Sequence, residues 1–193
     1  DQLETNIPGW NNDPWEFNDI ISDGNDIYAA TNRGVCVWGD MGQGTLDLIE
    51  CLTTGGGSEM PSRQVNSVEL IGNNSDGYPI LYAGTDGGAV VVDTSELGGV
   101  DGLEIIDVWT AGDDTQRAKT VKIGQILYIG FENTGIARYD LTNEEWLTTW
   151  DGSQGYLDDD DVTVLIPGSQ SGTMWAGGDF GLTLIDVTND TVL

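Results

Sequence analysis

Histidine is absent from all 193 residues. That excludes a Ser-His-Asp triad, a Cys-His nucleophile pair and any His-ligated zinc or iron centre. Basic residues are nearly as scarce: 6 Lys and Arg stand against 33 Asp and Glu, a formal net charge of −27. Nucleic acid and anionic membrane surfaces repel such a chain, so neither is an expected partner. Long apolar runs are missing too. Stretches such as residues 89–92 fall far short of a membrane span, and no N-terminal signal-type apolar region is visible. The expectation is a soluble chain without membrane insertion. Phosphate loops and nucleophile elbows are also lacking, since "GSQSG" at 168–172 carries Gln, not Ser, at its centre.

What is present is globular in composition, with 28 Gly, 5 Pro and 38% hydrophobic residues. Two readings account for the charge. One is a solvated acidic surface suited to saline surroundings, where a Debye length of about 3 Å near 1 M salt removes self-repulsion. The other is divalent-cation binding through carboxylate-rich loops.

One phrase occurs four times: "YAATNRGVCVWGD" from Tyr28, "YAGTDGGAVVVD" from Tyr82, "YIGFENTGIARYD" from Tyr128 and "WAGGDFGLTLID" from Trp175. The intervals, about 46 to 54 residues, suit propellers or helical arrays. Each phrase is an aromatic-tipped apolar strand, a Gly/Asp/Asn turn and a second strand rich in Val, Ile or Leu, which reads as a β-hairpin. No segment has a 3.6-residue apolar period. Further strands are expected upstream at 19–22, 67–71, 120–123 and 162–166, and downstream at 46–52, 103–110 and 145–150. Four antiparallel strands per unit make a propeller blade. Gly34, Gly88, Gly135 and Gly181 recur after the turn, where positive φ is useful. Small residues at Ala29, Ala83, Ala176, Gly84, Gly130 and Gly177 allow close backbone approach. Tyr28, Tyr82, Tyr128 and Trp175 are expected between neighbouring blades, as are Trp109, Trp150 and Trp10.

The stretch "DVTVLIPGSQSGTMWAGGDFGLTLID" (161–186) resembles the two-component-regulator type of propeller repeat, whose units run strand, loop, aromatic-x-Gly-Thr-x-x-Gly-hydrophobic, strand, Asp. "YAGTDGGAVVVD" is nearest to that pattern, whereas "YIGFENTGIARYD" carries one extra residue before its Gly. The resemblance spans most of the chain as four degenerate copies. It implies an extracytoplasmic sensing or binding module, or a scaffold.

The expected fold is therefore all-β, a single propeller domain over 1–193 with four four-stranded blades. The approximate repeats are 18–65, 66–118, 119–160 and 161–193. Residues 1–10, with "IPGW" at 7–10, read as a fourth strand completing the last or a neighbouring blade, because the last unit offers only "TNDTVL" there. A closed four-blade ring, half of an eight-blade dimer and a segment of a larger propeller all fit.

Chemistry is harder to find. In the third unit the outer hairpin opposes residues whose numbers sum to about 285. The same register in the first unit, with its longer turn, sets Cys36 opposite Cys51, at a separation suited to a disulfide. Two buried thiols are the alternative, and an extracellular-type composition favours the bond. Calcium is the one cofactor the acidic loops admit. The candidate ligands are Asp158, Asp159, Asp160 and Asp161 in "DDDD", Asp76 in "NNSDG" and Asp23 in "SDGND", none with a complete calcium-loop spacing. A solvated loop, or carboxylates turned inward onto loop amides, is the competing reading for each. With 33 acids, carboxylate pairs single out no catalytic site. Sequons at Asn73 and Asn189 are compatible with exposure. The expected function is non-catalytic: an extracellular, cell-surface or periplasmic propeller presenting rim loops to a protein or glycan ligand. A self-assembling surface protein joined by edge strands, or a polysaccharide-active propeller enzyme, are the alternatives. Self-association or additional blades are the expected partners.

Overall fold

The computed structural model describes residues 14–40, 44–54, 60–99, 102–109, 116–157, 160–179, 181–189 and 191–193. Sixteen strands form four antiparallel sheets, each in simple chain order. The first sheet holds β1 (Phe17–Ser22), β2 (Asp26–Thr31), β3 (Gly34–Asp40) and β4 (Leu46–Leu52). The second holds β5 (Val65–Asn73), β6 (Pro79–Thr85), β7 (Gly88–Glu96) and β8 (Gly102–Trp109). The third holds β9 (Gln116–Ile123), β10 (Ile126–Glu132), β11 (Gly135–Asp140) and β12 (Glu145–Trp150). The fourth holds β13 (Val164–Pro167), β14 (Thr173–Gly178), β15 (Gly181–Asp186) and β16 (Thr191–Val192). No α-helix occurs among the described residues.

The sheets pack face to face in chain order, β1 against β5, β5 against β9 and β9 against β13. Side chains alternate between the two faces of a strand, so each sheet has a rear face toward its predecessor and a forward face toward its successor. The repeated aromatic always points forward. Tyr28 packs with Val65, Val68, Leu81 and Ala83 of the second sheet. Tyr82 packs with Leu127, Ile129 and Phe131 of the third. Tyr128 packs with Val162, Leu165 and Ala176 of the fourth. All three tyrosines are buried, and so are Val35, Ala89 and Ile136, which follow the hairpin glycines on the same face. Trp109 and Trp150 end their fourth strands inside the second and third of these seams, stacked on Phe131 and Tyr156 at centroid distances of 4.6 and 5.0 Å. Trp10 lies outside the described residues.

The hairpin glycines have a steric reason to be there. A Cβ on Gly135, at φ 88°, would stand 2.1 Å from the carbonyl oxygen of Trp150. A Cβ on Gly34, at φ 131°, would stand 2.0 Å from that of Leu52. In the first and third sheets the outermost strand therefore ends directly against the glycine that opens the third strand. The extra residue in the third phrase is absorbed locally. Phe131 pairs with Gly135 across three residues, and Asn133 takes φ 64°. The equivalent first hairpin closes on two residues, between Thr31 and Gly34. There Thr31 Oγ1 donates to the Gly34 carbonyl and accepts from the Arg33 N–H, and Thr85 repeats both bonds with Gly88 and Gly87.

One expectation needs correction. The last unit has a fourth strand of its own: Thr191 pairs with Asp186 and Val192 with Ile185. Asp186 caps the turn that folds the chain back, which the lack of an apolar run in "TNDTVL" concealed. The proposed completing strand, residues 1–10, lies outside the described residues.

Gly135→Ala should lose about 1–3 kcal/mol of unfolding free energy by denaturant titration, from left-handed strain alone or with the added clash. Gly124→Ala, where a Cβ meets nothing within 4 Å, should cost clearly less despite its own φ of 64°.

Candidate functional site

An antiparallel sheet of four strands puts its first and third turns at one end and its middle turn at the other. The four sheets therefore share two rims. On the first rim lie the β1–β2 and β5–β6 turns, which carry Asp23 and Asp76, and all four turns between third and fourth strands. On the second lie the middle hairpins and the links between sheets, including Asp160 and Asp161. The candidate cation ligands are thus divided between opposite rims. No group of three or more Cys, Asp or Glu side chains able to hold a metal ion exists among the described residues. Asp158 and Asp159 lie outside them.

The individual carboxylates are occupied by their own turns. Asp23 Oδ1 accepts from the amides of Asn25 and Asp26 at 2.8 and 2.9 Å, and its Oδ2 accepts from the Tyr28 hydroxyl at 3.2 Å. Burial works to raise its pKa, and these bonds outweigh it to leave a net lowering. Asp26 moves the other way, raised by burial and by the adjacent Asp23 charge. Asp76 is exposed, its own amide donating to Asn74 Oδ1. Asp160 joins the third sheet to the fourth: its carbonyl accepts from Gly135 N–H and its carboxylate from Gly152 N–H. Within "DDDD", Asp160 is therefore turned inward onto loop amides.

Four further aspartates carry a role that sequence reasoning missed. Asp40, Asp93, Asp140 and Asp186 end the four repeated phrases, and each accepts an amide from the turn that follows. Asp140 accepts from Thr142 and Asn143 amides and the Asn143 side chain; Asp186 does the same with Thr188 and Asn189. Asp93 adds the Asn74 amide group at 3.1 Å to each oxygen, tying the first and third turns of its sheet together. The signal was the invariant last letter of the phrase, which identifies a repeat without revealing what the carboxylate binds.

Polar groups also cross the seams. Glu50 accepts from Leu103 N–H at 3.0 Å and Gly98 N–H at 3.3 Å, and Asp19 accepts from Val68 N–H at 3.2 Å. Cys36 stands opposite Cys51, in the register expected, and the two form a disulfide. That register holds at the cysteines because Ile49 is an extra residue in β4, between the Val37–Glu50 and Trp38–Leu48 pairs. The pair lies on the rear face of the first sheet. There Trp15, Phe17 and Trp38 form an aromatic cluster with centroids 5.6–6.0 Å apart. The segment before β1 is held across that face by bonds from Asn32 to Glu16 and to the Pro14 carbonyl.

No protein-family model matches the chain, and no curated protein matches it in sequence. Solved structures do. The chain is similar to the computationally designed Ika4 protein, at 17% identity and TM-score 0.58, over 88% of this chain and 89% of that one. It is similar to the extracellular domain of the putative hybrid two-component system BT3049 of B. thetaiotaomicron, at 12% identity and TM-score 0.64. It is also similar to PorZ, a bacterial surface component of the type-IX secretion system of Porphyromonas gingivalis, at 13% identity and TM-score 0.63. Those alignments cover 92% and 86% of this chain but only 24% and 25% of the two natural ones. The chain spans about a quarter of their length. Four four-stranded sheets in sequential face-to-face contact, with these neighbours, define an all-β fold of the propeller class.

Asp140 and Asp186 have pKa values below the usual carboxylate range, the first chiefly through the Thr142 amide and the second chiefly through the Asn189 side chain. A depressed folded-state pKa contributes stability above the unfolded-state value, about 3.9, that disappears as pH falls through the folded-state value. The melting temperature should therefore drop below about pH 4, and the Asp140→Asn/Asp186→Asn double variant should melt lower at neutral pH, where the carboxylates contribute, with a shallower acid limb that meets the parent's at low pH. Replacing both cysteines by Ser should cost about 3 kcal/mol, the chain-entropy value for a loop of about 15 residues, read by denaturant unfolding.

Proposed function

We propose that this chain is a non-catalytic extracellular propeller module that presents its rim turns to a protein or glycan ligand. The observation that carries the reading is the state of the rim carboxylates. Asp23, Asp93, Asp140 and Asp186 are held as anions by turn amides and neighbouring side chains, an arrangement that fixes a surface. The disulfide supports an oxidising compartment. The likeness to extracellular and surface propeller domains of bacterial regulators and a secretion component supports a sensing or scaffolding setting. No helix among the described residues is long and apolar enough to cross a membrane. Calcium enters this reading only as a bridging ion between the acidic rim and an anionic ligand.

The test is a thermal-shift panel of neutral glycans, acidic glycans and peptides, with calcium and with chelator, run beside a product assay on the same glycans. The expected outcome is a melting-temperature gain with one ligand class and no released product. Depolymerisation of any glycan would replace this reading with an enzymatic one.

A further inference from the structure

The three internal seams are of one kind, and the two ends of the row carry its separate halves. On the forward face of the fourth sheet, Trp175 stands where Tyr28, Tyr82 and Tyr128 are buried. Leu182 stands where Val35, Ala89 and Ile136 are fully buried, yet it is 68% exposed. Ile166, paired with Trp175, is 50% exposed, and Val164 and Leu184 extend the apolar surface, with Asp186 at the end of that face next to its turn. On the rear face of the first sheet, Ile20 pairs with Ala29 in the position where Val68 pairs with Ala83 and Leu165 with Ala176. Val68 and Leu165 are buried in seams, whereas Ile20 is 62% exposed. The Trp15–Phe17–Trp38 cluster covers the outer part of that face and leaves Ile20 on the innermost strand bare. Innermost strands form the main contact in each internal seam.

From this we propose that the forward face of the fourth sheet docks on the rear face of the first sheet of a second copy of this chain. Two copies then pair reciprocally, so that eight sheets meet at eight seams around one circuit, six within the chains and two between them. The argument is continuity with an interface the chain already makes three times: donor and acceptor faces are both present, both apolar and in the same phase. Such a contact is head-to-tail, so it closes only when the sum of the rotations completes a turn. Each copy carries a charge of −27, so association should strengthen with salt, which screens repulsion without weakening apolar burial.

Sedimentation velocity on the intact chain, at low and high salt, tests this. The expected species has the mass of two chains and is favoured by salt. Leu182→Asp and Ile20→Asp should each give the mass of one chain. Both side chains are exposed in the single chain, so unchanged circular dichroism is expected; Leu182→Ser and Ile20→Ser serve if either Asp variant unfolds. Mixing the two variants should restore a two-chain species, because one of the two docking contacts is then wholly native. A one-chain mass for the unaltered protein at every concentration and salt would overturn the proposal and leave that face to another sheet or protein. Insensitivity to Ile20→Asp would overturn it in favour of a symmetric contact between two fourth sheets. Open-ended growth would overturn closure at two copies.

Discussion

The packing of one buried aromatic per sheet against small and branched residues of the next sheet is the contact on which everything else depends. It requires that Tyr28, Tyr82 and Tyr128 share one phase of the two-residue strand period. A slip of one residue would send each ring to the opposite face and exchange the two halves of every seam. Much of the remaining detail protects that phase. In the first and third sheets the glycine opening the third strand lets the outermost strand end against it. The bulges at Ile49 and near Gly130 take up length differences without turning the aromatic over. Gly130 itself leaves room for Val162, whose side chain would lie 2.4 Å from an added Cβ.

Much of this was legible in the chain. The fourth strands at Leu46–Leu52 and Glu145–Trp150 fall where period and turn residues put them, and the cysteine pairing followed from register alone. Those features are local: an alternating strand and a short turn carry their own instructions. The missing parts depend on contacts between distant groups. Nothing near Glu50 announces that it will accept the amide of Leu103. Nothing in "PWEF" announces that Trp15 will lie over Trp38 with Arg33 above it at 4.8 Å. β16 was overlooked because two residues are too few to show alternation, and its existence rests on the Asp186 turn.

The acidity of the chain also takes on a different meaning once the turns are seen. A cluster of carboxylates suggests a cation until each is traced to its partners. Asp23, Asp140 and Asp186 each satisfy two backbone amides, and Asp160 bridges from its own loop to the start of β11 and to Gly152. Turn carboxylates of this kind let a rim be polar and still geometrically fixed, which a surface of lysines on long flexible stems would not be.

The covalent link between β3 and β4 gives the row a polarity of resilience. At one extremity the outer strand is fastened to its neighbour and overlaid by three aromatic rings; at the other, the outer strand is two residues long. Local opening free energies within one domain range from near zero to the global value. Fraying should therefore begin at β16 and advance toward the cross-linked extremity, so that amide protons in β15 exchange sooner than their counterparts in β3.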